Sequence, residues 1–171
     1  MKRIFMLMAL ALMLAAAMAL SGVAQAAGSP SAKCQQEAAS LGLDLVGYKF
    51  IGGNNKKNDD FTRKATTGVP EVFCGLGGND SIATINGGVD IFIGGDGQDS
   101  VGTLINGTFN GGEGTDDVYD NYYGTFNGGA GDDYVTNLIN GTFNGEAGDD
   151  SVGYVGSGAS STAARAPTLS S

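Results

Sequence analysis

The amino-acid sequence predicts an all-β fold in which short strands wind into a solenoid of stacked 17-residue coils. Four segments rich in glycine and aspartate begin at Gly94, Gly111, Gly128 and Gly145, so that successive copies start at a constant period of 17. They read GGDGQDSV, GGEGTDDV, GGAGDDYV and GEAGDDSV, and the nine-residue spacers between them all end in GTFN. An internal repeat of constant period is typical of a solenoid.

The spacing of the apolar residues supports strands rather than helices. These residues alternate at intervals of 8 and 9, whereas an apolar stripe on a helix recurs every three or four residues. One side of each coil would contribute a valine and the other a phenylalanine to a core of two columns. The columns are Val101, Val118, Val135 and Val152, facing Phe109, Phe126 and Phe143.

The pattern continues upstream with looser spacing. An acidic residue stands two places before an apolar one in the pairs Asp59/Phe61, Glu71/Phe73, Asp80/Ile82 and Asp90/Phe92. We therefore expect the coils to occupy residues 71–155, with residues 27–70 as an N-terminal segment or cap that includes a degenerate first coil. Terminal repeats of solenoids are commonly atypical.

The two ends of the chain differ from the repeats in composition. Residues 1–26 have the layout of a cleavable secretory signal peptide, namely MKR, a long apolar run, and an Ala-x-Ala site formed by Ala24 and Ala26. An uncleaved membrane anchor is the alternative. Between the signal and the repeats, at most a short helix is expected around residues 35–39. Residues 156–171 have low complexity, and we expect a disordered tail.

Cys34 and Cys74 are the only cysteines. A secreted chain meets conditions that permit disulfides, so a bridge between these two residues is expected, and two free thiols are the alternative.

The charge distribution indicates a partner that is a cation. Residues 71–153 hold 14 of the 18 acidic residues and none of the 9 basic ones. Signal removal would also take away Lys2 and Arg3 and move the net charge from -9 to -11. Such acidity argues against nucleic acid or an anionic membrane as a partner.

Stacking the coils would bring five aspartates into one column: Asp80, Asp99, Asp116, Asp133 and Asp150. At the strand spacing of about 4.8 Å, neighbouring carboxylates would repel by about 3 to 4 kcal/mol at an effective dielectric near 20. Calcium would reverse this repulsion, since it takes six to eight carboxylate and carbonyl oxygens in flexible geometry. Magnesium prefers stricter octahedral geometry, and zinc prefers His or Cys ligands, while the chain has no histidine.

These residues resemble a known family. The segments GGDGQDSVG, GGEGTDDVY and GGAGDDYVT match the nonapeptide GGxGxDxUx, in which U is a large apolar residue, and GEAGDDSVG misses by one glycine. This pattern is similar to the haemolysin-type calcium-binding repeats of RTX proteins, whose units wind into a right-handed parallel β-roll with calcium in the turns.

The resemblance implies a set of metal ligands. The five aspartates of the column would be the carboxylate ligands. Carbonyl oxygens of turn glycines would complete the coordination shells, namely those of Gly95, Gly97, Gly112, Gly114, Gly129 and Gly131. Asp117, Asp132 and Asp149 are expected to face the solvent.

The sequence departs from the family at the second edge of the roll. The spacers carry Gly107, Gly124 and Gly141 where an aspartate would be expected. We therefore expect three or four calcium ions along one edge only, with Asp90 and Glu71 as remnants of acidic turns on the other.

The function expected from this pattern is that of a secreted, extracellular calcium-binding protein with a structural, adhesive or matrix role. Its partners would be calcium and components of the cell surface or matrix. An ice- or glycan-binding solenoid that uses a row of Thr108, Thr125 and Thr142 beside Asn110, Asn127 and Asn144 is the alternative. The tyrosines are expected to be packing or rim residues, with a carbohydrate platform as the alternative, and they are Tyr119, Tyr122, Tyr123, Tyr134 and Tyr154. An enzyme is not expected, because the absence of histidine excludes an HExxH zinc protease and a Ser-His-Asp triad.

Overall fold

The structure, a computed structural model, describes residues 30–53, 57–61 and 69–162. These residues form a parallel β-solenoid of about six turns, which confirms the predicted fold class. The proposed signal peptide lies outside the described residues, and the right-handed sense of the winding remains a prediction. The one helix among the described residues is too short to cross a membrane.

The described elements are one helix and eleven strands. Helix α1 comprises Pro30–Ser40. The strands are β1 (Lys49–Gly52), β2 (Asp60–Phe61), β3 (Glu71–Gly77), β4 (Ser81–Asp96), β5 (Ser100–Glu113), β6 (Asp117–Asn121), β7 (Thr125–Ala130), β8 (Tyr134–Leu138), β9 (Thr142–Ala147), β10 (Ser151–Val155) and β11 (Ser160–Thr162).

The strands stack in two parallel rows that share one core. In the first row β2, β4, β5, β6, β8 and β10 follow one another, and this row carries the valine column. In the second row β1, β3, β4, β5, β7, β9 and β11 follow one another, and this row carries the phenylalanine column. The long strands β4 and β5 contribute to both rows.

The core contains the two expected columns. Phe92, Phe109, Phe126 and Phe143 stack with ring centroids 4.8 to 5.0 Å apart and nearly parallel planes. All four rings are fully buried. Since aromatic side chains bury the largest apolar areas, this stack dominates the packing of the coils.

The expectation of a core only two columns thick is wrong. A third column of buried residues runs through the corner of each coil, formed by Ile85, Leu104, Asn121 and Leu138. It arises because the residue three places after the valine turns back into the interior. Asn121 is tolerated there because its Oδ1 accepts the amide of Gly124 and its Nδ2 donates to the carbonyl of Thr142.

The coils shorten along the chain. Lys49 pairs with Glu71 at a sequence separation of 22, and Glu71 lies next to Asp90 at a separation of 19. From Asp99 to Asp150 the separation between neighbouring coils is constant at 17. The first strand therefore lies within residues 41–70, as expected for a degenerate first coil.

Helix α1 covers the outer surface of the first coils. It is longer than the short helix that the sequence suggested, and the predicted disulfide between Cys34 and Cys74 is confirmed. The bridge fixes the helix over outward-facing apolar residues of β3 and β4, namely Val72, Ile91 and Ile93. This produces a second, smaller apolar cluster outside the solenoid core.

The outward-facing residues of the second row are apolar in the first coils, under the helix, and polar in the later coils. Ile91 is in register with Thr108, Thr125 and Thr142. Ile93 is likewise followed by Asn110, Asn127 and Asn144. The apolar part of this face is therefore the part that the helix covers, and the polar part is the predicted threonine and asparagine row.

The solenoid extends beyond residue 155, so the first part of the expected disordered tail is ordered. Strand β11 pairs with β9, with Ser160 opposite Thr142 and Ser161 opposite Phe143. The sequence did not predict this strand, because a serine replaces the phenylalanine of the earlier coils. Residues 163–171 lie outside the described residues.

Replacing Phe126 with alanine is expected to destabilise the fold by about 3 to 5 kcal/mol, because it removes a buried ring from the middle of the stack. Tyr123→Ala is the matched control, since Tyr123 is exposed, and it should change stability by less than about 0.5 kcal/mol. Urea unfolding followed by circular dichroism measures both. Equal effects of the two substitutions would contradict the assignment of the core.

Candidate functional site

The five predicted aspartates lie in one buried column. Asp80, Asp99, Asp116 and Asp133 are almost completely buried, and Asp150 at the C-terminal end is 7% exposed. Each precedes a strand of the first row, so strand register places them one above another along one edge of the solenoid. The sequence thus placed these side chains correctly relative to one another.

One carboxylate oxygen of each aspartate is bound by the backbone of the preceding coil. The amide of Asp99 donates to Oδ1 of Asp116 at 2.8 Å, and the amide of Asp116 donates to Oδ1 of Asp133 at 2.9 Å. The same bond links every adjacent pair from Asp59 to Asp150. The Oδ1 atoms therefore fix the orientation of the whole column.

The other carboxylate oxygen has no hydrogen-bond partner. This holds for Oδ2 of all five members: Asp80, Asp99, Asp116, Asp133 and Asp150. A buried polar atom without a partner costs about 1 to 3 kcal/mol, and more when the group is charged. Bound protons, bound cations or ordered water would compensate five such atoms in one row.

Each orphaned oxygen faces a glycine-lined space. A side chain at Gly94 would collide with Oδ2 of Asp99 and with the carbonyl oxygen of Gly111. The same relation joins Gly111 with Asp116 and the carbonyl of Gly128. The space therefore collects one carboxylate oxygen and one carbonyl oxygen from successive coils.

The glycines nearest the orphaned oxygens were not among the predicted ligands. They are the first glycines of the turns, Gly94, Gly111, Gly128 and Gly145, together with Gly75. The predicted turn glycines have positive φ angles from 105° to 135°, and they are Gly95, Gly97, Gly112, Gly114, Gly129 and Gly131. The carbonyls of Gly95, Gly97, Gly112 and Gly114 point at the corresponding glycine of the next coil, and their role in metal binding remains a prediction.

Burial makes the central carboxyl groups hard to ionise. Desolvation raises the pKa of Asp116 from its ordinary value of 3.8 to about 8, and the charges of neighbouring aspartates add to the effect. The pKa of Asp99 rises to about 7 and that of Asp133 to about 6, mainly through burial. Hydrogen bonds from the backbone oppose these rises but do not cancel them.

A carboxylate that the sequence did not assign comes from the helix. Glu37 on α1 has a buried Oε2 without a hydrogen-bond partner, and burial and the charge of Asp96 raise the pKa of Glu37. Its charge also raises the pKa of Asp99. No helical repeat pattern distinguishes Glu37, so only the three-dimensional packing reveals it.

The aspartate column provides oxygen atoms that could bind a metal ion, but it contains no dense cluster of acidic side chains. Within the described ranges, no group of three or more His, Cys, Asp or Glu residues is arranged to hold a metal ion. An ion between two coils would therefore be bound by one or two aspartates together with backbone carbonyls and water. This donor set fits calcium, which accepts mixed oxygen ligands, and does not fit zinc.

The opposite edge has few carboxylates, as the sequence predicts. The amide of Glu71 donates to Oδ1 of Asp90, and the side chain of Glu71 forms an ion pair with Lys49 at 3.0 Å. In the next coil Gly107 takes the position of Asp90, and a side chain at Gly107 would collide with the carbonyl oxygen of Asp90. The charges on this edge are thus confined to the first coils and are partly neutralised.

The other polar side chains lie where the sequence places them. Asp117, Asp132 and Asp149 are exposed. The asparagine row is a ladder in which Asn127 donates to Asn110 and Asn144 donates to Asn127. Tyr119, Tyr122, Tyr123, Tyr134 and Tyr154 are exposed at the surface.

Comparisons with known proteins found no matching family model, no similar curated protein and no similar solved structure. The resemblance to RTX repeats therefore depends on the nonapeptide segments and on coil geometry that is compatible with a β-roll.

Lowering the pH from 8 to 5 in the presence of a chelator is expected to stabilise the metal-free solenoid. The folded pKa values of Asp99, Asp116 and Asp133 lie above 3.8, so the folded chain binds these protons more tightly than the unfolded chain does. This stabilisation is present at low pH and is lost as the pH rises through about 6 to 8. Circular dichroism across this range measures the transition.

Asp116→Asn should move that transition to higher pH, because an amide can keep the Oδ1 hydrogen bond without bringing a buried charge. Asp149→Asn, at an exposed position, is the control and should leave the midpoint unchanged. A metal-free chain whose β structure does not depend on pH would contradict the burial of these carboxyl groups.

Proposed function

We propose that the chain is a secreted calcium-binding repeat protein that folds when calcium occupies the aspartate column. The observation that carries this proposal is the row of five buried Oδ2 atoms without partners. Those of Asp80, Asp99, Asp116 and Asp133 each lie beside a carbonyl oxygen of a turn glycine. A row of hard cations between the coils would give these oxygens partners.

The competition between protons and calcium decides when the column is stable. At neutral pH the central aspartates must either stay protonated or lie beside a compensating charge, because a buried, unpaired carboxylate is strongly disfavoured. A calcium ion beside these aspartates would supply that charge, and the carboxyl groups would then release their protons. Binding free energy then contributes to folding free energy, since the unfolded chain has no preformed site.

The roles of the chain's own residues follow from the geometry. The backbone amides hold Oδ1 of each aspartate, and this leaves Oδ2 directed at the space between coils. Glycines bring the neighbouring carbonyl close, because any side chain would fill that space. Calcium, when bound, supplies electrostatic cross-linking between successive turns.

A structural or adhesive role outside the cell fits this mechanism. Extracellular calcium at millimolar concentration would keep the solenoid folded, whereas the same chain would stay unfolded where calcium is scarce. The extended solenoid then presents two regular faces to components of the cell surface or matrix.

Calcium titration calorimetry at pH 8 is expected to detect three or four ions per chain, and circular dichroism should show coil in chelator and β structure with calcium. Asp116→Asn should remove one or two of these ions, because Asp116 lies between two neighbouring turns. Asp149→Asn serves as the control with unchanged stoichiometry. Full β structure in chelator at pH 8, without binding heat, would contradict the proposal.

A second candidate function uses the threonine row. Thr108, Thr125 and Thr142 are in register on a partly exposed face, which favours a regular surface for ice or glycans. Replacing all three by valine exchanges each hydroxyl group for a methyl group and keeps the branched shape of the side chain. Thermal hysteresis or glycan-array binding should be lost in this variant and kept when Thr103 and Thr136 on the other row are replaced. Absence of both activities in the native chain would exclude this function.

A further inference from the structure

The exposed tyrosines lie on one side of the solenoid. Tyr119 belongs to β6, Tyr134 to β8 and Tyr154 to β10, all in the first row. Tyr122 and Tyr123 follow in the corner after β6 and its last residue. The exposed fractions of the five side chains range from 36% to 65%. Large side chains that are exposed together mark a surface where a partner binds, whereas single exposed ones need no explanation.

Strand register brings three of these tyrosines to neighbouring positions on successive coils, and we call Tyr119, Tyr134 and Tyr154 the tyrosine face. In β8, Tyr134 stands two residues before Thr136, which lies beside Tyr119 of the preceding coil. Asn137 of the same strand pairs with Tyr154 of the following coil. The three tyrosines therefore surround one short stretch of β8.

The side chain of Tyr134 reaches over the following coil. Its hydroxyl oxygen lies 2.6 Å from the position that a side-chain carbon at Gly153 would occupy. Any residue larger than glycine at this position would therefore displace Tyr134. The end of the Tyr134 side chain thus lies next to the backbone of β10, which carries Tyr154 as its next residue.

Carboxylates lie among these rings, and no base balances them. Asp117 is exposed and in register with Tyr134. Asp120 is half-buried, and its Oδ1 accepts a hydrogen bond from Nδ2 of Asn137 at 2.8 Å. Residues 71–153 contain no lysine and no arginine. The complementary partner of this surface is therefore positively charged.

We propose that the tyrosine face binds an arginine-bearing peptide segment of a partner protein. A guanidinium group stacks on an aromatic ring and also forms paired hydrogen bonds with a carboxylate, so rings and acids side by side suit arginine better than lysine. Tyrosine and arginine are also the residue types that contribute most to binding at protein interfaces.

The size of the surface favours a peptide segment over a folded domain. Its three coils span roughly 10 Å across the strands, and the stretch from Tyr134 to Asn137 spans about 10 Å along them. A stable interface between folded proteins usually buries about 800 Å² on each partner, which is far more. In an extended peptide, alternate side chains lie about 7 Å apart on the same side, so two arginines fit within this surface.

A carbohydrate is the weaker candidate. Sugar rings also stack on tyrosines, but a neutral carbohydrate gains nothing from the unbalanced charge of Asp117, and an anionic one would be repelled. The tyrosine face is separate from the aspartate column, whose side chains are buried between the coils. The proposal therefore needs only the folded solenoid and no particular occupant of that column.

The test is an NMR titration of the full chain under the solution conditions in which circular dichroism shows β structure. The probe is a heptapeptide of alternating glycine and arginine. Amide shifts should change around Tyr119, Tyr134 and Tyr154 and stay constant in the threonine row. The same peptide with lysine in place of arginine has an equal charge and should bind about threefold more weakly or less, because ammonium groups stack poorly on rings.

Matched variants separate stacking on the tyrosine face from general attraction by an acidic protein. Tyr119→Ser combined with Tyr154→Ser should weaken binding of the arginine peptide at least fivefold, and circular dichroism should stay native because both side chains are exposed. Tyr123→Ser, at an equally exposed position in the corner, should leave the affinity unchanged. Asp117→Asn should weaken binding more than Asp149→Asn does.

Three results would overturn the proposal. The first is equal affinity for the arginine and lysine peptides, or an equal loss from Tyr123→Ser, since either would mean attraction by charge alone. The second is the absence of shift changes at the tyrosine face. The third is binding of a neutral oligosaccharide, with cellohexaose as the probe, at these tyrosines in a chain that does not bind the arginine peptide.

Discussion

Burial of like charges in a single row is the constraint on which the rest of the structure depends. Strand stacking brings one aspartate of every coil to nearly the same position, and each is held there by an amide of the coil before it. Valine, phenylalanine and aspartate recur with the same period. Any register that aligns the hydrophobic columns therefore also aligns the aspartates. The phenylalanine stack favours close packing of the coils. Repulsion between the carboxylates opposes this packing unless their charge is removed or compensated. Folding is therefore coupled to the chemical state of the column.

Several features follow from that coupling. The turns must be rich in glycine, because the carboxylate and the carbonyl of the next coil occupy the space where a side chain would be. On the opposite edge, glycines can occupy the positions of acidic residues, because the coils need no second row of charged side chains. The helix and the disulfide lie at the N-terminal end, where the longer first coils depart from the regular period. Local reinforcement is thus found where the repeat is least regular.

The sequence predicted the features that depend on period and missed those that depend on packing in three dimensions. The constant period of the repeat predicted the parallel coils, both apolar columns and the alignment of the five aspartates. The third column was missed because Leu104 is followed by Asn121, which hides the periodicity at that position. Strand β11 was missed because a serine replaces phenylalanine. Glu37 and the first glycine of each turn could be recognised only once neighbouring coils were seen in contact.

The constant register from β5 to β9 also makes these coils interchangeable. Thr125 pairs with Thr142 as Thr108 pairs with Thr125, and Val118 pairs with Val135 as Val101 pairs with Val118. One whole repeat could be added or lost within this stretch while the valine, phenylalanine, threonine and aspartate rows all stay continuous. Duplication or deletion of whole repeats would then change the length of the solenoid without creating a new misfit. The irregular first coils, with their helix and bridge, allow no such exchange.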